Sequence, residues 1–525
     1  MKITRALKGL EHPNLIYAVD NGVPIHIYPD REDIRDYYVP IEPTLGQDIE
    51  RLLMDLEEIF VDLVDGTELE AETPEERETH LLELIERTCV IREDGAEQKG
   101  TWFDFLNKVL KYLNQLFKLK NIEKIYVTPR EYQAIKYIIL RDKVGLGVLE
   151  PLLKDPYIED ISCSGLGHIF VEHKIFSGLK TMITFKDMGD LNSFVVKVSE
   201  KIGKPITYRD PIVDATLPDG SRINIVFGED VSKRGSNFTI RKFAGTPLSI
   251  LDLIEFGSLD YTIAAYLWIL LKQGMSCFIA GETASGKTTL LNALTTFLPP
   301  DGKVVSIEDT PELQVPLKNW TREVTRASRE ESNSEVSMFD LLRAALRQRP
   351  NEIMIGEIRG VEGNIAFQAM QTGHPVMSTF HASSVEKLIQ RITGDPINVP
   401  KTYMDNLNLV ICQNAIHLPG KGMIRRVTSV NEIVGYDPVS DTFSFIEVFR
   451  WDSSTDSFEF VADMNSYLLE NRIAPKLGIP ENQTKKIYKD IERRERILRK
   501  LHEAKVTGFY DLFAMMIKIE EEGLI

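Results

Sequence analysis

Residues 44–64, TLGQDIERLLMDLEEIFVDLV, place Ile49, Leu52, Leu53, Leu56, Ile59 and Phe60 three and four apart, which predicts an amphipathic helix. Residues 101–120, TWFDFLNKVLKYLNQLFKLK, repeat the pattern with Leu106, Val109, Leu110, Leu113 and Phe117 on one face. The lysines of this second helix would suit a membrane interface. Packing against its own domain is the simpler expectation, because no lipid-binding patch accompanies it. From about residue 126 the texture changes to short β-branched runs between turn residues: IFVEHKIF, KTMITF, RINIVF and FTIRKF. After FAGTPLS (243–249), which reads as a linker, apolar runs alternate with helical patterns. SCFIA precedes a helix, KVVSI and REVTR follow, then a helix at 335–348, EIMIG, a helix at 361–371, PVMSTF, and a helix from 384. That alternation predicts an α/β domain with a mostly parallel, helix-covered sheet. Three domains are expected: residues 1–125, mainly helical; 126–246, a small α+β domain; and 247–525, the α/β domain with a helical C-terminal part.

Length supports this division, since 525 residues exceed what one core can serve. The apolar fraction of 43% and charged fraction of 27% are those of a soluble globular chain. The run YTIAAYLWILLKQGMSCFIAG (261–281) is the nearest to a membrane span, but Lys272, Gln273 and Gly274 break it into a helix and a strand. The start, MKITRALKGLEHPN, lacks the apolar stretch of a signal peptide. Cys89, Cys163, Cys277 and Cys412 are far apart and form no CxxC pair, which argues against a zinc module and a disulfide scaffold and fits a reducing cytoplasm. Net charge is −17, and residues 41–100 alone hold 19 acidic and 5 basic side chains. A uniform duplex-DNA groove needs a basic footprint and is disfavoured.

The strongest local signal is GETASGKT (281–288), a full GxxxxGK[ST] pattern after an apolar run and before the helix KTTLLNALTTFL. Gly281 and Gly286 let backbone N–H groups turn inward around phosphate oxygens, with Glu282, Thr283, Ala284 and Ser285 completing the loop. Lys287 is placed for the β- and γ-phosphates and the Thr288 hydroxyl for Mg²⁺, with Thr289 beside it. Such a loop needs a carboxylate on a neighbouring strand for the metal, directly or through water, and a group to orient the attacking water. Glu357 ends the strand-like NEIMIGEIRG (351–360); Glu308 and Asp309 end KVVSIEDTPELQ (303–314), followed by Glu312. Acidic residues at the carboxyl ends of strands face the ligand crevice of open α/β sheets.

The ordered motifs GETASGKTTLLNAL, VVSIEDTPEL, LLRAALRQRPNEIMIGEIRG and TGHPVMSTFHASS resemble the type II/type IV secretion ATPase superfamily. Upstream, GLGVLEPLLKDPYIEDISCSG (145–165) and LPDGSRINIVF with FTIRKF (217–243) are similar to its archaeal branch, which assembles archaella and type IV pili. The resemblance runs from about residue 140 to about 505. It implies a RecA-like P-loop ATPase core, ATP and Mg²⁺ as ligands, and a homo-oligomeric ring, expected to be a hexamer. It also implies a place on the cytoplasmic face of the cell membrane beside a polytopic platform protein. Glu357 matches the family's metal-site glutamate, Glu308 and Asp309 its acidic box, and Glu312 the position credited with activating water. Arg222, Arg234 and Arg241 match arginines of the preceding domain that reach the γ-phosphate when the ring closes. Thr310 stands where bacterial relatives usually carry Pro, which leaves the division of roles between Glu308 and Glu312 open. The four-cysteine zinc insertion of many bacterial motors is missing, so zinc is not expected.

From the residues alone, Arg222 beside a Pro-Asp-Gly-Ser turn and Arg241 at the end of an alternating strand also read as solvated strand arginines. Arg343, Arg347 and Arg349 lie at helical spacing and suggest a subunit contact or C-terminal helix charge. In TGHPVMSTFHASS, a strand rise of roughly 3.3 Å per residue separates His374 from His381 by about 20 Å, too far to share a metal. His381 falls at the carboxyl end of the strand and matches the family's histidine box; His374 at its start is structural. Two rival classes share these motifs: a RecA-like nucleic-acid translocase, opposed by the acidic balance and the nucleic-acid channel it would need, and a nucleotide-gated scaffold without turnover, opposed by Glu312 and Glu357.

Overall fold

The computed structural model describes residues 10–19, 23–43, 52–54, 73–91, 124–243, 245–326, 335–418 and 422–523, together with Leu7, Leu56, Ile59 and Phe60. The helix expected over 101–120, and most of the one expected over 44–64, lie outside these residues. The chain divides into two compact units, Met1–Ala244 and Gly245–Ile525.

The first unit is built on a nine-stranded sheet. Its strands are β1 (Leu15–Ala18), β2 (Pro24–Tyr28) and β3 (Tyr37–Pro40), then β6 (Ile158–Cys163), β7 (Gly167–His173), β8 (Ser177–Phe185), β9 (Ile212–Thr216), β10 (Arg222–Val226) and β11 (Asn237–Arg241). Between β3 and β6 come β4 (Cys89–Ile91) and β5 (Ile125–Val127), a separate parallel pair. The large sheet runs β1-β2-β3-β8-β7-β6-β11-β10-β9. Its strands alternate as half-buried strands must: Ile223 and Ile225 point inward, Arg222 and Asn224 outward. The helix Met188–Lys201, capped by Asp187, lays Leu191, Val195 and Val198 into the same core. Here the expectation of a mainly helical domain over 1–125 is corrected. The short alternating runs LIYA, PIHIY and YYVP form β1–β3, and β3 pairs in parallel with β8, so these residues belong to the sheet of the segment that follows them.

The second unit carries β12 (Cys277–Ala280), β13 (Val304–Glu308), β14 (Trp320–Val324), β15 (Glu352–Ile358), β16 (Val376–Phe380), β17 (Leu409–Leu418), β18 (Gly422–Asp437), β19 (Thr442–Asp452) and β20 (Ser457–Phe460). They form one sheet in the order β14-β13-β15-β16-β12-β17-β18-β19-β20. The six strands from β14 to β17 run parallel, and the last three are antiparallel. Alternate residues feed different faces: Cys277 and Ile279 pack with Leu290, Leu291 and Leu294, whereas Phe278 and Ala280 pack with Phe367 and Leu388. Both faces are therefore apolar, which is why the strands read as continuous hydrophobic runs. The apolar run after Asp260 is the helix Tyr261–Lys272, with Ile263 through Leu271 all buried in this core. No described helix is long and apolar enough to cross a membrane.

Two further expectations change. The C-terminal part is not helical at its start, because TFSFIEVFRWD and its neighbours, separated by the Asp-rich turns DPVSD and DSSTD, extend the sheet as β18–β20. Only then come the helices Tyr488–Glu503 and Phe509–Glu521. Arg343, Arg347 and Arg349 do not share one helix: the α-helix is Met338–Ala345, a 3₁₀ turn covers Leu346–Gln348, and Arg349 leaves it at φ 52°.

Candidate active site

The phosphate loop starts where β12 ends and closes on the helix Lys287–Leu294. A side chain at Gly281 is impossible, since its Cβ would lie 2.1 Å from the carbonyl oxygen of Gln413 on β17. Gly286 turns the chain at φ 92°, the left-handed conformation that glycine permits. Ala284 holds φ 61° without being glycine, and Arg425 Nε on β18 donates to its carbonyl at 3.0 Å. Glu282, Thr283 and Ala284 are exposed, Thr288 and Thr289 half-buried, and Ser285 and Lys287 buried.

Lys287 Nζ donates to the carbonyl of Glu282 at 2.8 Å and lies 3.4 Å from His381 Nδ1. Burial pulls its pKa below the usual lysine value, and the nearby Glu357 charge opposes that shift. A cation held among neutral acceptors is short of an anion. His381 continues the line: its Nε2 is 2.7 Å from Glu357 Oε1. Its pKa is lowered, chiefly by burial, against Glu357 and with help from Lys287 and Arg359. The imidazole is thus neutral at neutral pH. Its Nδ1 faces an ammonium that can only donate, so the proton is assigned to Nε2, on the carboxylate side.

Glu357 comes to this position through an irregularity in the sheet. Ile355 pairs with Ser378 and Glu357 with Thr379, so Gly356 is an extra residue in β15. Ile355 and Ile358 stay with the core on one face, and Glu357 emerges on the other, the side of the phosphate-loop helix. A Cβ on Gly356 would sit 3.2 Å from Glu308 Cγ, so the bulge also lets the two carboxylates' strands approach. The second oxygen of Glu357 pairs with Arg359.

Glu308 and Glu312 are separated by their surroundings. Glu308 is 1% exposed; its Oε1 accepts the N–H groups of Glu312 and Leu313, both at 2.7 Å, and its Oε2 is 3.3 Å from Arg322 Nε. Burial raises its carboxyl, against those N–H groups and the Arg322 charge. It is occupied in shaping the turn that presents Glu312. The Glu312 carbonyl accepts from Asn292 Nδ2 at 3.1 Å, which ties that turn to the phosphate-loop helix, while its carboxylate is uncommitted among the described residues. Asp309 accepts from Thr325 Oγ1 at 3.0 Å.

These residues suit a nucleoside triphosphate with a divalent ion: an under-satisfied ammonium, a glycine cradle, an orphaned buried oxygen, Ser285 Oγ, and the Glu357 carboxylate beside them. The sequence-expected residues Lys287, Glu357 and His381 are brought into one line, with Glu308 tight against the bulge beside Glu357. His374 is left apart, at the other end of β16, next to Thr372 Oγ1 at 3.1 Å. Arg222, Arg234 and Arg241 all belong to the first unit. Arg222 and Arg241 are direct cross-strand partners, and Arg222 Nε bonds Asp214 at 3.0 Å. Arg241 opposes the burial that raises the Asp160 carboxyl. Arg234 is exposed in the β10–β11 connection, its carbonyl accepting from Leu166 N–H at 3.1 Å. Sequence reasoning missed Arg322, Arg359, Arg391, Gln413 and Arg425. Arg359 stands two residues from Glu357 and was within reach of a charge argument. Arg391, which donates to the His381 carbonyl, lies one helical turn or more into a different element. Gln413 and Arg425 lie more than 120 residues after the loop they line, with no spacing to mark them.

Residues 142–421 match the family described as type II/IV secretion system protein. An uncharacterized protein of Methanocaldococcus jannaschii is 44% identical over 527 residues, covering 100% of this chain and 92% of that one. The type IV secretion system protein PtlH of Bordetella pertussis is 30% identical over 47% of this chain and 79% of its own. Among solved structures, the pilus retraction motor PilT with bound ADP aligns over 56% of this chain and 84% of its own, at 19% identity and a TM-score of 0.40.

Proposed function

Because the chain belongs to the family of type II/IV secretion system proteins, we propose that it hydrolyses ATP with Mg²⁺ as the motor subunit of an archaeal pilus, archaellum or related secretion machine. The observation that carries this reading is the line from Lys287 through His381 to Glu357, which joins the phosphate loop to the carboxylate of the neighbouring strands.

Each residue then has a task. The loop amides and Lys287 take the phosphates, supplying the anion the ammonium lacks. Thr288 and Glu357 would hold the metal, directly or through water; Mg²⁺ would supply charge neutralisation on the phosphates. Arg359, already on Glu357, keeps that carboxylate aimed. Glu312 is free to accept a proton from the attacking water, while Glu308 holds its backbone in place. His381, neutral and with its proton toward Glu357, reports on the γ-phosphate through Lys287. Arg222, Arg234 and Arg241 are assigned as charges reaching the phosphates of a site in a ring of identical subunits, expected to be a hexamer. Arg222 must then exchange its Asp214 partner for phosphate, a swap between two anions of similar geometry.

The test is steady-state turnover of the purified chain. ATP hydrolysis that requires Mg²⁺ and disappears in Lys287→Ala is expected. Nucleotide binding without turnover in the wild type would overturn the motor reading in favour of a nucleotide-gated scaffold. Strong stimulation by single-stranded DNA would favour a translocase.

A further inference from the structure

The helix Tyr488–Glu503 departs from the charge of the rest of the molecule. Residues 485–505 hold nine basic and four acidic side chains in a chain whose net charge is −17. At about 100° per residue, Lys489, Arg493, Arg496 and Lys500 fall within one arc about 60° wide and span about 17 Å of helix axis. All four are exposed, and Ile491, Arg494, Leu498 and Leu501, which pack the core, lie on the other side. Neighbouring cations are neutralised: Arg499 pairs with Glu495 and Arg494 with Asp490. Among the described residues the four on the ridge make no ion pair; Arg496 donates to the Glu492 carbonyl of its own helix, at 3.2 Å. Glu492 and Glu503 border the arc and do not enter it.

We propose that this ridge docks the protein on a membrane surface of anionic lipid. Like charges spaced three and four apart repel by a few tenths of a kcal/mol per pair, so the alignment of these four cations needs a reason beyond folding. The ridge is the outward side of a surface helix and not the floor of a groove. No aromatic side chain is exposed along it, because Tyr488 is buried, so nucleic-acid bases find nothing to stack on. A planar array of headgroup phosphates is the polyanion that a straight, convex line of flexible cations can meet along its whole length. With no apolar residue in the arc, the helix rests on headgroups without inserting. The acidic remainder is repelled from the same surface, which leaves this one face to dock. The lipid-binding patch that the residue pattern near 101–120 did not supply is found here instead.

The experiment is flotation of the full chain with phosphatidylcholine vesicles containing or lacking phosphatidylglycerol, beside the chain carrying Lys489→Gln, Arg493→Gln, Arg496→Gln and Lys500→Gln. Binding only to the anionic vesicles, lost at high salt and weakened roughly tenfold or more by the four substitutions, is expected. ATP turnover without vesicles should be unchanged, which separates this result from the fate of the motor reading. If the glutamine variant unfolds, Arg493→Lys with Arg496→Lys should keep the binding. Equal binding by both chains, no binding by the wild type, or a stronger ridge-dependent affinity for single-stranded DNA or polyglutamate than for the vesicles would overturn the proposal.

Discussion

Arg425 Nε donates to the carbonyl oxygen of Ala284 at 3.0 Å, so a strand that follows the phosphate loop by some 140 residues restrains the one loop residue held left-handed without glycine. Left-handed alanine costs about 1 kcal/mol, and a charged hydrogen bond returns about 1.5–3 kcal/mol. Arg425→Gln should weaken nucleotide binding by roughly tenfold with little change in turnover at saturation. Adding Ala284→Gly should recover part of the loss, because glycine adopts that conformation freely. Titration with a fluorescent nucleotide checks both; no recovery in the double variant would place the effect elsewhere.

Glu308 and Glu312 should fail in different ways. Glu308→Ala leaves two N–H groups without an acceptor and should lower stability by about 2 kcal/mol or more, visible as a lower Tm. Glu312→Gln should leave Tm in place and cut kcat by about a hundredfold or more. Unchanged turnover in Glu312→Gln would transfer the proton-accepting task to another group.

Turnover should depend on pH through His381. Burial, above all, lowers its pKa from the usual histidine value, so the ring takes up its proton at more acid pH than an exposed imidazole. Further acidification protonates Nδ1, which then repels Lys287. The acid limb of the pH–rate profile should lie below the ordinary histidine range, and His381→Gln should be slower throughout and lose that limb. A limb that survives the substitution belongs to a different group.

The first unit should lose stability in mild acid. His173 is buried, with Nδ1 accepting the N–H groups of Ile175 and Phe176 at 3.1 and 3.2 Å, and its pKa is lowered to about 4. Its unfolded value is 6.5, so between these values the unfolded chain binds the extra proton. Stability is complete above pH 6.5 and declines as pH falls toward 4, by about 3 kcal/mol in all at 1.4 kcal/mol per unit. Thermal melts from neutral to acid pH should show the decline, and His173→Asn should shrink it.

What the sequence made legible follows the range of the interactions involved. The parallel strands and the phosphate loop could be read because their signals are local: a fully buried strand, a glycine turn and a helix start sit within a dozen residues. Glu357 and His381 could be placed at strand ends for the same reason. β1–β3 were hidden because four- and five-residue strands carry little period, and β3 finds its partner β8 some 140 residues later. The distinct duties of Glu308 and Glu312 were illegible, since only burial and two backbone N–H groups tell the carboxylates apart. Gln413 and Arg425 were illegible for a third reason: they act on the loop through its backbone, which leaves no mark on residue type.

The extra residue Gly356 in β15 has a consequence for how this protein can change over time. Flattening the bulge, so that Gly356 itself pairs with Thr379, would give a more regular ladder but turn Glu357 to the face of Ile353 and Ile355, silencing the site. Ordinary selection for a sturdier fold therefore runs against selection for activity at this one position. A lineage that has abandoned nucleotide chemistry should be free to flatten the bulge. Among descendants of this chain, the register of that strand would record whether the site is still in use.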